Sequence, residues 1–477
     1  MPLISTDLRA DALRARYGKR YPWLVLAVAA LGIVASVLAT TSFSVAIPAI
    51  MQQYGLGQEQ AQWTMTGFMA AMAIGMLPAP WLLQRHGFRK VFLWASILLT
   101  LTGVLGALVA AHIGFYWLVA IRLLQGLVAG ALQPLGTLVV MRLFPPHAQG
   151  RASGLMSVGI VLAPAVAPSL GGLLVDWFSW PAIFWLGLPF SLCGIVLGLR
   201  WLPVADKLTR SSFDWLGVLL LSGATLLLIE GIAGMQSHGL LAPPTLAFLS
   251  LTVLLAGLFM LHARRIEHPI IHLELFREAR FGMGVIVFLA YGFGVYASSY
   301  LIPVFMLQAL HYSATAAGAA LMPSGIALAL VIPVAGHLAD RFSPLLVTAG
   351  GLALFCLSSI LLALLAQDIS YTQIVIATVI GRIGLGMILP ALGIAALRSL
   401  APETLSQASV ISSYVRQLGG VLGIAMTAVF VSWREGIYPD TAAGVSHAYA
   451  DGFWLIAGMY LVALVAAWFM RERQHTS

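Results

Sequence analysis

Charge is scarce in this sequence. Of 477 residues, 25 are Lys or Arg and 17 are Asp or Glu, 9% in all, where a soluble domain carries about 25%. So little charge cannot dress the surface of a water-soluble protein of this length. Cysteine is scarcer still. Cys193 and Cys356 both lie inside apolar segments without metal-ligand spacing, which argues against a disulfide scaffold or a metal centre and leaves them as packing residues. Clustered histidines, paired carboxylates and nucleophile–base constellations at membrane depth are also missing. The chain therefore reads as a non-enzyme with no cofactor and no bound metal. No apolar stretch precedes a cleavage site in the opening MPLISTDLRADALRARYGKR, so segment 1–20 reads as cytoplasmic chain rather than a cleaved signal peptide. It is either a basic segment near lipid headgroups or a disordered tail.

What fills the sequence is apolar: 60% of residues, with a mean hydropathy of +0.95. The excess comes in runs at 22–50, 60–83, 91–111, 115–143, 151–175, 180–202, 215–235, 243–262, 281–309, 313–338, 345–366, 371–398, 404–432 and 448–470. Each reaches the roughly 20 residues that cross a bilayer core, so an all-α membrane protein of fourteen spans is expected. The basic residues test that count. With the N-terminus inside, 21 of the 25 fall in inner segments, Arg434 alone falls outside, and Arg122, Arg382 and Arg416 lie within runs. An alternation this lopsided places both termini, including tail 471–477, in the cytoplasm. The net charge of +8 is then a topology signal facing anionic lipid, and nucleic acid is not expected as a partner.

The chain also repeats. A shift of 256 residues places Arg85 on Arg341, Gly130 on Gly386, Pro134 on Pro390, Arg142 on Arg398, Pro146 on Pro402, and Ala152-Ser153 on Ala408-Ser409. Leu and Ala matches arise by chance in membrane proteins; coincident arginines, prolines and glycines without a gap do not. The expected organisation is two six-helix bundles, 21–202 and 281–470, joined by a linker, 203–280, with two inserted spans and an amphipathic connector. Repeats of this kind mark transporters whose site lies between the halves near the bilayer midplane.

Several motifs carry a resemblance. The loop after the tenth run, Gly336-His337-Leu338-Ala339-Asp340-Arg341, resembles the signature loop of the major facilitator superfamily, Gly-x-Leu-Ala-Asp-Arg-x-Gly-Arg-Lys. The loop after the second run keeps Arg85, Gly87, Arg89 and Lys90 but has Pro80 for the first glycine and Gln84 for the acid. The resemblance implies a cytoplasmic gate at Gly336, Asp340, Arg341, Arg85, Gly87 and Arg89, lopsided because the first copy lacks its carboxylate. A plain basic inner loop would explain the arginines but not the repeated spacing. Arg122-x-x-Gln125-Gly126 resembles the family's fourth-helix motif, tied to proton transfer and the substrate cavity; the alternative is an arginine bonded to carbonyls of the first run. In the fifth run Ala163-Pro164-Ala165-Val166-Ala167-Pro168-Ser169-Leu170-Gly171-Gly172 resembles the antiporter motif Gly-Pro-x-x-Gly-Pro-x-x-Gly-Gly. That implies a hinge at Pro164, Pro168, Gly171 and Gly172, stiffened where two glycines are alanines. Together with Ser179-Trp180-Pro181 and Arg416-Gln417-Leu418-Gly419-Gly420, these motifs point to the fourteen-helix drug:proton antiporter branch.

The first run departs most. The branch begins Leu-Asp-x-Thr-(apolar)2-Asn-Val-Ala-Leu-Pro, and this chain has Leu38-Ala39-Thr40-Thr41-Ser42-Phe43-Ser44-Val45-Ala46-Ile47-Pro48. The acid that usually carries the proton is Ala39. Polar faces outline an expected substrate cavity: Thr40, Thr41 and Ser44; Gln62; Arg122 and Gln125; Tyr296 and Tyr300; Ser413 and Arg416. If Arg122 and Arg416 share it, the cavity is positive and favours anionic or neutral amphipathic cargo. The expectation is a monomeric, multi-pass transporter of the cell inner membrane, exporting small amphipathic drugs or metabolites by alternating access, with protons as a family-implied partner. The competitors are an organic-anion exporter or facilitator without proton antiport, and a non-transporting sensor or scaffold.

Overall fold

The computed structural model describes residues 13 and 15–470, apart from 111, 204–211, 240, 268 and 440. Most of the expected N-terminal segment and the 471–477 tail thus lie outside the described residues. Those described form sixteen α-helices and no strand. They are α1 (Tyr21–Thr41), α2 (Ile47–Tyr54), α3 (Gln58–Met76), α4 (Ala79–Val109), α5 (Phe115–Leu132), α6 (Leu135–Leu143), α7 (Gln149–Trp177) and α8 (Leu188–Trp201). After these come α9 (Trp215–Ser237), α10 (Pro243–Ala263), α11 (Ala279–Gln308), α12 (Ala314–Arg341), α13 (Pro344–Leu365), α14 (Tyr371–Leu397), α15 (Leu405–Glu435) and α16 (Ala442–Phe469). Among the described residues, twelve helical segments are long and apolar enough to cross a membrane, by length and composition. The second and fifth of the fourteen runs fall outside that count. They are α3, whose apolar part is the shorter stretch Trp63–Met76, and α7.

Proline and glycine explain where runs and helices part company. The first run breaks into α1 and α2 at a 3-10 turn, Ser42–Val45, with Pro48 in the first turn of α2. The fourth breaks into α5 and α6 at Pro134. A proline removes a backbone donor and crowds the preceding turn, which bends or ends a helix. The second and third runs meet at Gly87, whose φ of 77° and ψ of 160° belong to a region open essentially to glycine alone. That single residue turns the chain inside α4.

Packing obeys the 256-residue shift. Helix starts at Gln58, Phe115 and Gln149 recur at Ala314, Tyr371 and Leu405. In the first half α3 packs on α5, α1 on α7 and α8, and α4 on α5 and α8; in the second, α12 packs on α14, α11 on α15 and α16, and α13 on α14 and α16. Small residues bring these pairs close. A Cβ on Gly126 or Gly130 of α5 would strike the α3 backbone at Phe68 and Met72, and one on Gly419 or Gly423 of α15 would strike α11 at Leu289 and Phe293. The halves meet along two seams, α7 against α12 and α14, and α15 against α3, α4 and α6. Helices α9 and α10 pack on each other, and α9 lies against α3 and α15, with the Thr225 hydroxyl 2.5 Å from that of Tyr414.

Candidate functional site

Where the halves meet, α6 and α7 face α14 and α15 around a cavity that Phe288 of α11 also lines. The space open to water inside it is about 40 Å³, room for roughly three waters at ~10–15 Å³ each. The halves are closed on one another rather than parted for cargo. Ten of the lining residues are related by the shift: Gln133 with Leu389, Thr137 with Gly393, Met156 with Ser412, Ser157 with Ser413, and Ile160 with Arg416. The cavity therefore lies on the pseudo-twofold axis, yet its chemistry is unequal. One wall carries an arginine where the other carries isoleucine, and among the described residues no Asp or Glu lines it. Arg416 is partly buried and makes no hydrogen bond or ion pair among the described residues.

Arg122 is elsewhere. It lines a separate pocket within the first half, with Ala39, Phe43, Gln125 and Ser191, and its side chain is fully buried. Its Nε donates to the Thr64 carbonyl at 3.0 Å, one terminal nitrogen to Gln125 Oε1 at 2.6 Å, and the other to the Ala39 carbonyl at 3.0 Å. The rings of Phe43 and Phe68 lie 3.7 and 4.1 Å from the guanidinium carbon, each cation–π contact contributing about 0.5–2 kcal/mol. A backbone carbonyl at Ala39 thus holds the arginine where the family pattern has a carboxylate at that residue. The shared positive cavity expected from Arg122 and Arg416 does not form in this structure. The reason is local: two carbonyls, an amide and two aromatic faces hold Arg122 inside its own half. A matching pocket in the second half holds Arg382, which donates to Ser299 Oγ at 3.0 Å.

At the end where the expected inner loops gather, the halves are tied three times. Asp340 accepts from the Gly150 and Arg151 amides at 2.6 and 2.9 Å, at the N-terminus of α7, with its side chain 3% exposed. Anions are favoured there by free N–H groups and the helix dipole. The Arg151 guanidinium stands 3.6 Å from the same carboxylate and donates to His337. Gly336 lies against Gly150 and Gly154 so closely that a Cβ on it would meet their backbone. The other two ties are reciprocal. Arg142 donates to the Pro402 carbonyl at 3.0 Å and to Ser406 Oγ at 3.1 Å, while Arg398 donates to the Pro146 carbonyl at 2.8 Å. Each arginine reaches the repeat-mate of the other's partner. Sequence reasoning singled out these residues as repeat markers but missed them as ties.

The remaining expected site residues divide. Ser413 joins Arg416 at the cavity. Thr40 and Thr41 do not reach it: their hydroxyls donate to the Ser36 and Val37 carbonyls of their own helix, both at 3.0 Å, the local bond such hydroxyls often make. Tyr296 packs against Gly420, and neither it nor Tyr300 lines the cavity. Arg341, expected beside Asp340 in the gate, is exposed and without a bond among the described residues; Arg151 stands in that place because α7 begins there. Arg85 lies over Trp81 at 5.3 Å, and Arg89 donates to the Leu199 carbonyl. Gly171 and Gly172 face the Ser42–Val45 turn. The side chains of Ser44, Gln62, Pro164 and Pro168 lie outside the described residues.

Comparison with known proteins follows the same lines. The family model described as Major Facilitator Superfamily matches residues 29–423 and 284–477. The chain is 28% identical to a multidrug resistance protein B homolog of Mycobacterium tuberculosis, over 97% of this chain and 94% of that one. It is 29% identical to the tetracenomycin C resistance and export protein of Streptomyces glaucescens, over 90% and 79%. Among solved structures, the proton:xylose symporter XylE bound to a bromo-deoxyglucose superposes with a TM-score of 0.66 at 14% identity, over 95% and 96% of the two chains. That last likeness is one of fold alone.

Proposed function

Since the chain belongs to the major facilitator superfamily and is a multi-pass membrane transporter, we propose that it exports small amphipathic drugs or metabolites by alternating access. The observation that carries this reading is the closed cavity on the pseudo-twofold axis, walled by both halves. Relatives named for multidrug resistance and for antibiotic resistance and export support the direction and the breadth of cargo. The working unit in this reading is a monomer of fourteen spans with both termini cytoplasmic. Two six-helix bundles, 21–202 and 281–470, rock about the cavity, and linker 203–280 contributes the two inserted spans. Asp340, Gly336 and the neighbouring arginines form the cytoplasmic gate; Gly171 and Gly172, beside the Ser42–Val45 turn, form part of the hinge. The test is flux in proteoliposomes holding the purified chain, with cationic, neutral and anionic compounds, with and without a pH gradient. Cargo-selective flux above protein-free vesicles is expected, and no flux for any compound would reduce the chain to a sensor or scaffold.

Proton coupling is the second variable. Among the described residues no carboxylate lines the cavity, and Arg122 is satisfied by carbonyls, an amide and aromatic rings. These two facts favour the reading in which cargo leaves without proton antiport.

A further inference from the structure

We propose that Arg416 is the binding site for an acidic group on the cargo, and that membrane potential rather than a proton gradient drives export. The proposal rests on the transporter reading and names its substrate class: amphipathic monoanions bearing a carboxylate or sulfonate.

Three arginines lie deep inside the runs, and among the described residues one of them, Arg416, has no hydrogen bond or ion pair. Arg122 spends its donors on Thr64, Ala39 and Gln125, and Arg382 donates to Ser299. Arg416 has no such bond among the described residues and looks into the cavity between the halves. A cation at membrane depth is costly to insert, so one that lacks an internal partner marks a functional group by default. Its surroundings specify the ligand. Ser413 and Ser157 add hydroxyls beside it, and Phe288, Met156 and Ile160 add apolar wall. A guanidinium presents a planar fork of donors that matches carboxylate or sulfonate oxygens two at a time. An apolar body beyond that head would fill the remaining wall. A cationic dye would meet like charge with no carboxylate among the described lining residues to offset it.

The same arrangement removes the need for a helix-one acid. Cargo and Arg416 together are neutral, so the loaded carrier reorients without moving net charge. The empty carrier returns with one positive charge, and an inside-negative potential pulls that step inward. One negative charge leaves per cycle, and Ala39 in place of the family aspartate takes nothing from the energetics.

The experiment uses the full chain in proteoliposomes with equal pH on both sides, a potassium–valinomycin potential, and two fluorescent probes, pyrene-1-sulfonate and ethidium. At about 60 mV the anion is expected to accumulate on the positive side about tenfold, the ratio for one charge. Imposing a pH gradient should leave that ratio unchanged. Arg416→Gln should abolish the flux, while Arg416→Lys retains part of it, separating a lost charge from a lost fold. Ethidium transport without pyrene-1-sulfonate transport would overturn the proposal. So would undiminished anion flux in Arg416→Gln, or accumulation that follows the pH gradient with the potential clamped at zero. Absence of flux for both probes in the wild-type chain would instead overturn the transporter reading itself.

Discussion

The two arginines that the sequence presents as alike, Arg122 and Arg416, have opposite physical roles. Arg122 is fully buried and answers two carbonyls, an amide oxygen and two aromatic faces. Its removal leaves a hole between Phe43 and Phe68 and strands groups that cost about 1–3 kcal/mol each when orphaned. Arg122→Ala should therefore lower the thermal midpoint of the detergent-solubilised protein, by about 2–4 kcal/mol in stability terms. Arg416→Gln should leave that midpoint close to wild type, since it removes a cation with no bonded partner. A midpoint that falls more for Arg416→Gln than for Arg122→Ala would contradict the assignment. The difference was only half legible in the sequence. The loss of the first-run acid could be read directly, because Ala39 stands in a recognisable pattern. Its replacement could be read only as the alternative that Arg122 bonds carbonyls of the first run, because every residue owns a carbonyl and only the fold shows that Ala39 supplies it.

Among the elements, the inserted pair α9 and α10 is joined to the connector that follows it through one carboxylate. Asp214 caps α9 by accepting from the Gly217 amide at 2.7 Å, meets His262 of α10 at 2.7 Å, and accepts from the Ile270 amide at 3.1 Å. Its side chain is 3% exposed, so one buried acid organises two helices and the connector that follows. Asp214→Ala should free the connector, and limited trypsin digestion should then cut at Arg264 and Arg265 faster than in the wild type, with Lys and Arg sites elsewhere unchanged. Equal cleavage rates would show that helix packing alone holds the connector. The sequence announced the two helices by their hydrophobic length, but nothing in it singled out Asp214. Its partners lie 48 and 56 residues away, beyond any local pattern. By contrast the breaks at Pro134 and Gly87 follow from the residues themselves, although periodicity merged α5 with α6 and α1 with α2 into single runs.

The whole molecule shows how far a repeat can be read. The 256-residue shift was visible from coincident arginines, prolines and glycines, and it recurs in helix starts, in packing partners and in five pairs of cavity residues. What the shift could not tell is which repeated residues meet each other. Arg142 and Arg398 do not sit on matched outer surfaces; each crosses the seam to the other's loop, at Pro402 and Pro146. Both ties span this closed end, so together they would stabilise one of the two states of the alternating access proposed above. Each is a charge-assisted bond to a carbonyl, worth about 1.5–3 kcal/mol when formed. Two ties holding one seam are also coupled: either alone keeps the ends together, so losing both should exceed the sum of single losses, with a coupling of about 0.5–3 kcal/mol. The measurement is the rate at which a thiol reagent labels Ser157→Cys in the cavity, with Cys193 replaced by alanine because it is exposed. Arg142→Ala and Arg398→Ala should each raise the rate modestly, and the double variant should raise it more than the product of the two increases. If the double variant labels no faster than the parent, the Asp340 cap on α7 holds the seam without them, and the reciprocal ties play no part in the closed state.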